Sequence, residues 1–298
     1  MSPDAYLHRI EDGAAVFLPM DRAAYHRSIF LDHRVQAARS GEASTPVGDA
    51  PVQPIAFIFH VAHCGSTLLA RALDRIESNL VLREPMALRQ AALDPNVPLD
   101  AVLGLLSRRY RPDLPTLIKA NVPVNFVLSR IVAAVPGMRA LFLHMPLESW
   151  LAAVLRSPQH RHWVHQVSTL VGLPVEVDDA AAAAQLWLAQ TDAFRAAMML
   201  LPDSVSLDAD RFFSHPAEAI AASAPALHVA MSGGEAAQIA AGPLFTHDAK
   251  RPANVFDNAE RVRRALATKA AIAIEISAAR KWIEARGGDT SPLPRALI

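Results

Sequence analysis

Uninterrupted apolar runs alternate along this chain with stretches in which apolar residues recur every three or four positions. "IAFIFHV" (55–61) has no polar break until His60, as a strand buried on both faces requires. "STLLARALDRI" (66–76) has helical spacing, and "NLVLREP" (79–85) predicts a short strand stopped by Pro85. A helical stretch near 98–109 precedes a third strand, "TLIKANV" (116–122). Pro123 then opens a helix, at the position where its missing N–H costs nothing. "ALFLHM" (140–145) predicts a fourth strand, with Pro146 starting the next helix. A helix over 178–200 capped by Asp178 or Asp179 leads to a fifth strand, "SVSLDAD" (204–210). The last long helix starts at "DNAE", where Asp257 and Glu260 have capping-box spacing, and stops at Gly287-Gly288. Strands separated by helices imply a doubly wound α/β fold with a mostly parallel sheet flanked by helices.

The first 53 residues read differently. Residues 1–35 mix short apolar pieces with charge, and "SIFLDHR" (28–34) predicts a helical turn docked on the main domain. Residues 39–53 are a Gly/Pro/Ser-rich connector. The expected organisation is an N-terminal segment and linker (1–53) packing on one α/β domain (54–298), with no internal repeat.

Charge and composition narrow the function classes. Of 298 residues, 29 are basic and 29 acidic, so no overall positive field recruits nucleic acid. The 29 basic residues include only four lysines, a bias typical of a GC-rich bacterial coding sequence. Cys64 is the only cysteine, which excludes an internal disulfide and fits a reducing cytoplasm. "MSPDAYLHRIEDG" has no apolar core of a signal peptide. Residues 51–70 carry no formal charge, but Pro51, Gln53, Pro54, His60 and His63 interrupt them, as a strand with its loop would. A soluble cytoplasmic protein without nucleic-acid or membrane partners is expected. The oligomeric state is open.

The chemistry concentrates where the first strand turns into its helix. Strand, glycine turn and a helix opening Ser-Thr aim the backbone N–H groups of residues 63–68 at a phosphate or sulfate. Against the Walker pattern Gly-x-x-x-x-Gly-Lys-Ser/Thr, His60 takes the first glycine position and Ser66 the lysine position. Metal-ATP chemistry thus lacks its lysine, and Asp208 is the acid that could hold a metal. Ligands of open parallel sheets sit outside the carboxyl ends of the strands. Those ends here carry His60 and His63, Glu84, Lys119 with Asn121, and His144. Glu84 can act as a base or simply pair with Arg83 or Arg89. Lys119 can neutralise a transferring group or pair with an acid inside the sheet. His63 contacts an anion or caps the helix, and Cys64 is a nucleophile or a small filler of a tight turn. His160, His162 and His165 in "SPQHRHWVHQ" (157–166) have spacing open to a metal, a lid with Trp163, or a solvated loop.

From Ala62 to Leu69, the sequence Ala-His-Cys-Gly-Ser-Thr-Leu-Leu resembles the 5′-phosphosulfate loop of the sulfotransferase family, whose P-loop-like members use 3′-phosphoadenosine 5′-phosphosulfate (PAPS). His63 stands at the family's basic position and Cys64 at a small serine. "REPMAL" (83–88) resembles a segment whose Glu is the proposed base, and "LIKANVP" (117–123) one with a catalytic Lys and His, here Lys119 and Asn121. "LFLHMPLESWLAAVLRS" (141–157) resembles the 3′-phosphate segment, with His144 for its Arg and Ala152 or Ala153 for its Ser. "LDADRFFSHPAEAI" (207–220) and "HDAKRP" (247–252) resemble later segments, the second a basic loop over the nucleotide.

The resemblance implies a P-loop NTPase-like three-layer sandwich and a metal-free transfer of a sulfuryl group from PAPS to a hydroxyl or amine. His63, Cys64, Gly65, Ser66, Thr67 and Leu68 would cradle the phosphosulfate. Glu84, Lys119 and His63 would be catalytic, and His144, Arg156, Lys250 and Arg251 would hold the other phosphate. The acceptor would be a small molecule, carbohydrate or peptide. Two alternatives stand beside it: a metal-dependent small-molecule kinase, and a catalytically inactive binding protein derived from the family.

Overall fold

In a computed structural model the chain describes residues 2–76, 79–247, 253–255 and 258–298. Three strands, β1 (Ala5–Glu11), β2 (Ala14–Pro19) and β3 (Ala43–Pro46), form an antiparallel sheet of that order. Five more, β4 (Ile55–His60), β5 (Val81–Arg83), β6 (Thr116–Lys119), β7 (Arg139–His144) and β8 (Val205–Asp208), form a parallel sheet ordered β5-β6-β4-β7-β8. Helices cover it to give a three-layer α/β arrangement. The chain runs from β4 out to β5, returns to β6, then crosses β4 to reach β7 and β8, so the winding reverses at β4. The crevice above the tip of β4 is where a ligand of such a sheet belongs.

β4 is buried throughout, and it is apolar up to His60 at its tip. On one face Phe57, Phe59 and Phe142 stack at 5.0 and 5.5 Å between ring centroids, and Phe194 of the helix Asp179–Leu200 closes the row at 5.0 Å. Each buried ring contributes about 1.5–3 kcal/mol. The row locks that helix onto the sheet and so fixes the strand tips. Asp178 caps the helix by accepting from the Ala181 N–H. Among the described residues no helix is long and apolar enough to cross a membrane.

The N-terminal sheet is the main departure from the sequence reading. β1 and β2 are joined by Asp12 and Gly13, both at positive φ (49° and 74°), the geometry that matches a two-residue turn to strand twist. Gln90 joins both backbone groups of Ile10, at 2.8 and 3.0 Å, and Arg108 donates to the Ala5 carbonyl at 3.1 Å. The connector passes close over the helix Leu99–Leu106, where a Cβ on Gly104 would lie 1.9 Å from the Ala50 oxygen. Residues 28–34 are an irregular turn, not a helical one; the helix ends before them, at Arg22–Arg27. The last long helix is two, Asn258–Ala271 and Ala273–Glu284, and the expected Asp257 cap lies outside the described residues.

Candidate active site at the strand tips

Neighbouring strands lie about 4.8 Å apart, so the tips of β5, β6, β4 and β7 span roughly 15 Å. The strand-end residues singled out in the sequence lie along that edge.

At the tip of β4 the chain turns through residues 61–65 into the helix Ser66–Ala72. His63 (φ 63°) and Gly65 (φ 85°) are both left-handed. Gly65 is required twice over, since a Cβ there would also lie 2.7 Å from Cζ of Phe213. The strained backbone of His63 is held by its ring, whose centroid lies 5.0 Å from that of His160 and 5.2 Å from that of Trp163. The first intrahelical bond runs from Leu69 N–H to the Gly65 carbonyl at 3.0 Å. The amides of Ser66, Thr67 and Leu68 precede it and have no intrahelical partner. Cys64 is fully buried, donates to the Val61 carbonyl at 2.6 Å, and burial pushes its thiol up to about 11. It fills the turn, and burial there disfavours the thiolate that a nucleophile needs.

At the tips of β5 and β6, Glu84 is also left-handed (φ 56°), and its N–H donates to the Lys119 carbonyl at 2.8 Å. Its carboxylate forms an ion pair with Lys119, whose side chain is only 1% exposed against 20% for Glu84. Neither Arg83 nor Arg89 takes that role. Arg83 turns the other way, bridging Asp74 at 2.5 Å and donating to the carbonyls of Tyr25, His26 and Ser28. The turn at 28–34 lies over this corner. Leu31 donates to the Arg83 carbonyl at 2.7 Å, the Phe30 ring sits 5.6 Å from Lys119 Nζ, and the Arg34 guanidinium lies 3.8 Å over Phe30. Beyond β6, Asn121 is 9% exposed and its Oδ1 has no hydrogen-bond partner among the described residues.

His60 is buried with both ring nitrogens facing carbonyl oxygens, Val61 at 2.9 Å and Ala120 at 2.8 Å. Burial first, and then the Lys119 charge, push its pKa down to about 3, outweighing those two oxygens. The folded state therefore binds no proton at His60 where the unfolded chain does. The stability this contributes is whole above pH 6.5 and is lost as the pH falls toward 3. Urea midpoints should drop across that window in the wild type and drop less in His60→Gln. Equal slopes in the two proteins would remove His60 as the cause.

At the tip of β7, His144 is buried opposite Asp208 of β8. Burial lowers its pKa, opposed by Asp208, so its ring is the neutral form near pH 7 and supplies no fixed positive charge. Asp208 accepts from the N–H groups of Asp210 (2.7 Å) and Arg211 (3.0 Å), capping the helix Ala209–Ser214. The histidine-rich segment is not a loop. It forms the helix Pro158–Leu170, with His160 bonded to Arg156 (2.7 Å) and Ser157 (2.7 Å), His165 to Asp179 (2.8 Å), and His162 exposed. The three rings do not converge, and among the described residues no group of metal-ligating side chains does. Arg156 thus reaches the phosphate-type loop through His160 and His63. Lys250 and Arg251 lie outside the described residues.

No motif marks Arg83 as the anchor of residues 25–28, or Phe30 and Arg34 as the cover of the Lys119 corner. Arg83 reaches Tyr25, His26 and Ser28 across more than fifty residues of chain, and Phe30 reaches Lys119 across more still. Ser157 followed by Pro158 was a legible helix start that would have recovered His160 and Trp163.

No family model matches the sequence, and no curated protein matches it. Among solved structures, the chain is similar to the sulfotransferase domain from the curacin biosynthetic pathway, with a TM-score of 0.46 and 15% identity over 75% of this chain and 99% of that one. It is also similar to the sulfotransferase from Alicyclobacillus acidocaldarius, with a TM-score of 0.40 and 16% identity over 77% of this chain and 99% of that one.

Proposed function

We propose that this chain is a sulfotransferase-type enzyme that moves a sulfuryl group from PAPS to a hydroxyl or amine. The observation that carries the reading is the buried Lys119–Glu84 pair at the crevice, next to a lysine-free phosphate-type loop. The amides of residues 63–68 take the phosphosulfate oxygens. The bond from sulfur to the bridging phosphate oxygen breaks as the bond from sulfur to the acceptor forms. The acceptor's proton passes to the Glu84 carboxylate, and the Lys119 ammonium offsets the charge growing on the bridging oxygen. Asn121 Oδ1, buried without a partner among the described residues, accepts a hydrogen bond from the acceptor and orients it. A metal-dependent kinase draws no support from Asp208, which is occupied in capping a helix. The acceptor's identity and a cytoplasmic setting belong to the same proposal.

Thermal unfolding with 3′,5′-diphosphoadenosine, with ATP and Mg²⁺, and with ATP and a chelator tests it. A ligand at 100 times its Kd adds about 2.7 kcal/mol of stability. The diphosphate should raise Tm without a metal. A shift with Mg-ATP alone would favour a kinase, and no shift with any ligand would sink both.

A further inference from the structure

We propose that His60 takes up a proton when the loop binds an anion, and that its imidazolium then supplies from beneath the positive charge that the lysine-free loop lacks. This role rests on residues 63–68 holding a phosphate or sulfate.

The hydrogen count under the loop is one short. The two ring nitrogens of His60 face two carbonyl oxygens, Val61 at 2.9 Å and Ala120 at 2.8 Å. A neutral imidazole has one N–H, so one of these contacts sets a lone pair against a lone pair. Only the imidazolium donates to both. The groups around the ring do not make up the shortfall. Cys64 already gives its S–H to the same Val61 oxygen at 2.6 Å. Asn125, 1% exposed in the short helix Val122–Val127, directs its amide N–H groups to the His60 carbonyl and to Gln190 Oε1, both at 3.0 Å. Gln190 Nε2 donates to the Leu186 carbonyl at 3.0 Å, and Asn125 Oδ1 has no hydrogen-bond partner among the described residues. Acceptors crowd this side of the loop, and a proton on His60 is the donor that would relieve them.

Charge decides when that proton arrives. Burial and the Lys119 ammonium keep the ring neutral, and Glu84 beyond β5 opposes them. The Cys64 thiol shares its turn, while the helices Val122–Val127 and Asp179–Leu200 bring the uncharged amides of Asn125 and Gln190. Lys119 and Glu84 offset each other, so a doubly charged anion in the loop meets no net positive charge from that pair. The ring is tied to the loop through Val61, whose oxygen His60 and Cys64 share. At the low effective dielectric of such a site, two negative charges are strong enough to reverse the effect of burial on a neighbouring ring. Anion and proton are thus taken up together. The proton comes from solvent, and no covalent bond between heavy atoms changes.

Calorimetric titration of the full chain with adenosine 3′,5′-bisphosphate, repeated in buffers of different ionisation enthalpy, counts the protons. Near neutral pH the wild type should take up about one more proton per ligand than His60→Gln. The ligand's phosphates and the other histidines titrate in both proteins and cancel in that difference. Binding raises the pKa of His60, so the added affinity is whole at low pH and is lost as the pH rises through the bound-state value. Above it, wild-type affinity should fall by up to about tenfold per pH unit more steeply than that of His60→Gln. Nitrogen NMR of the histidine-labelled wild type reads the ring without any variant. Both His60 nitrogens should move to the imidazolium position when the bisphosphate is added. A wild type that binds the bisphosphate with no more proton uptake than His60→Gln overturns the proposal and leaves the loop reading standing. A bound spectrum in which His60 keeps a single N–H does the same. A chain that binds no bisphosphate removes both.

Discussion

Lys119→Met should cost about 3 kcal/mol of folding stability and abolish donor-dependent turnover. The ammonium is 1% exposed and paired with Glu84, so its loss strands a carboxylate at the crevice edge. Breaking one half of a buried pair costs about 3–5 kcal/mol. Glu84 is 20% exposed and can draw partly on water, which places the loss at the low end of that range. Urea unfolding measures it. Glu84→Gln added to Lys119→Met should recover most of the stability, because no unpaired charge is left. It should recover none of the turnover, with the ammonium and the base both gone and the rate down at least about a hundredfold. A Lys119→Met protein as stable as the wild type would show that the two charges do not depend on each other.

Arg83→Met is expected to be the more damaging substitution for the fold. Arg83 is fully buried, and its guanidinium meets Asp74, itself only 6% exposed, at 2.5 Å. Here neither partner has solvent to turn to, so the expected loss is about 4–5 kcal/mol. The carbonyls of Tyr25, His26 and Ser28 lose their shared donor in the same step. The damage should therefore be local as well as global. Limited proteolysis ought to cut between residues 22 and 34 in the variant at protease levels the wild type resists. Cleavage spread evenly over the chain would mean that Arg83 does not anchor this segment.

Much of the parallel sheet could be read from the sequence. β4 and β7 are continuous apolar runs because both their faces are covered, and the helix Asp179–Leu200 begins where its capping aspartate predicts. The N-terminal sheet could not be read in the same way. A bulge between Leu7 and Arg9 breaks the alternation of β1, and β3, "ASTP", is largely exposed and holds no large apolar residue. Only Asp12-Gly13 marked the hairpin. For the site, the strand tips were legible because His, Glu and Lys interrupt apolar runs where the strands end. The partners were not. Glu84 and Lys119 are 35 residues apart, and sequence alone offered Glu84 the nearer arginines.

The attachment of the first hairpin has a consequence for synthesis. Arg108 grips a carbonyl 103 residues upstream, and Tyr110 donates to Asp4 across 106. Growing at about 5–20 residues per second, the chain makes the hairpin some 5–20 seconds before these anchors exist. Through that interval Tyr6, Leu7 and Phe17, all buried in the finished protein, lack the main-domain partners that complete their burial. The turn at 28–34 waits as well, because Arg83 and Lys119 are made after it. The corner that holds Glu84 and Lys119 therefore closes only once the ribosome has delivered the third parallel strand, and a nascent chain arrested before that point presents an apolar hairpin for chaperones to hold.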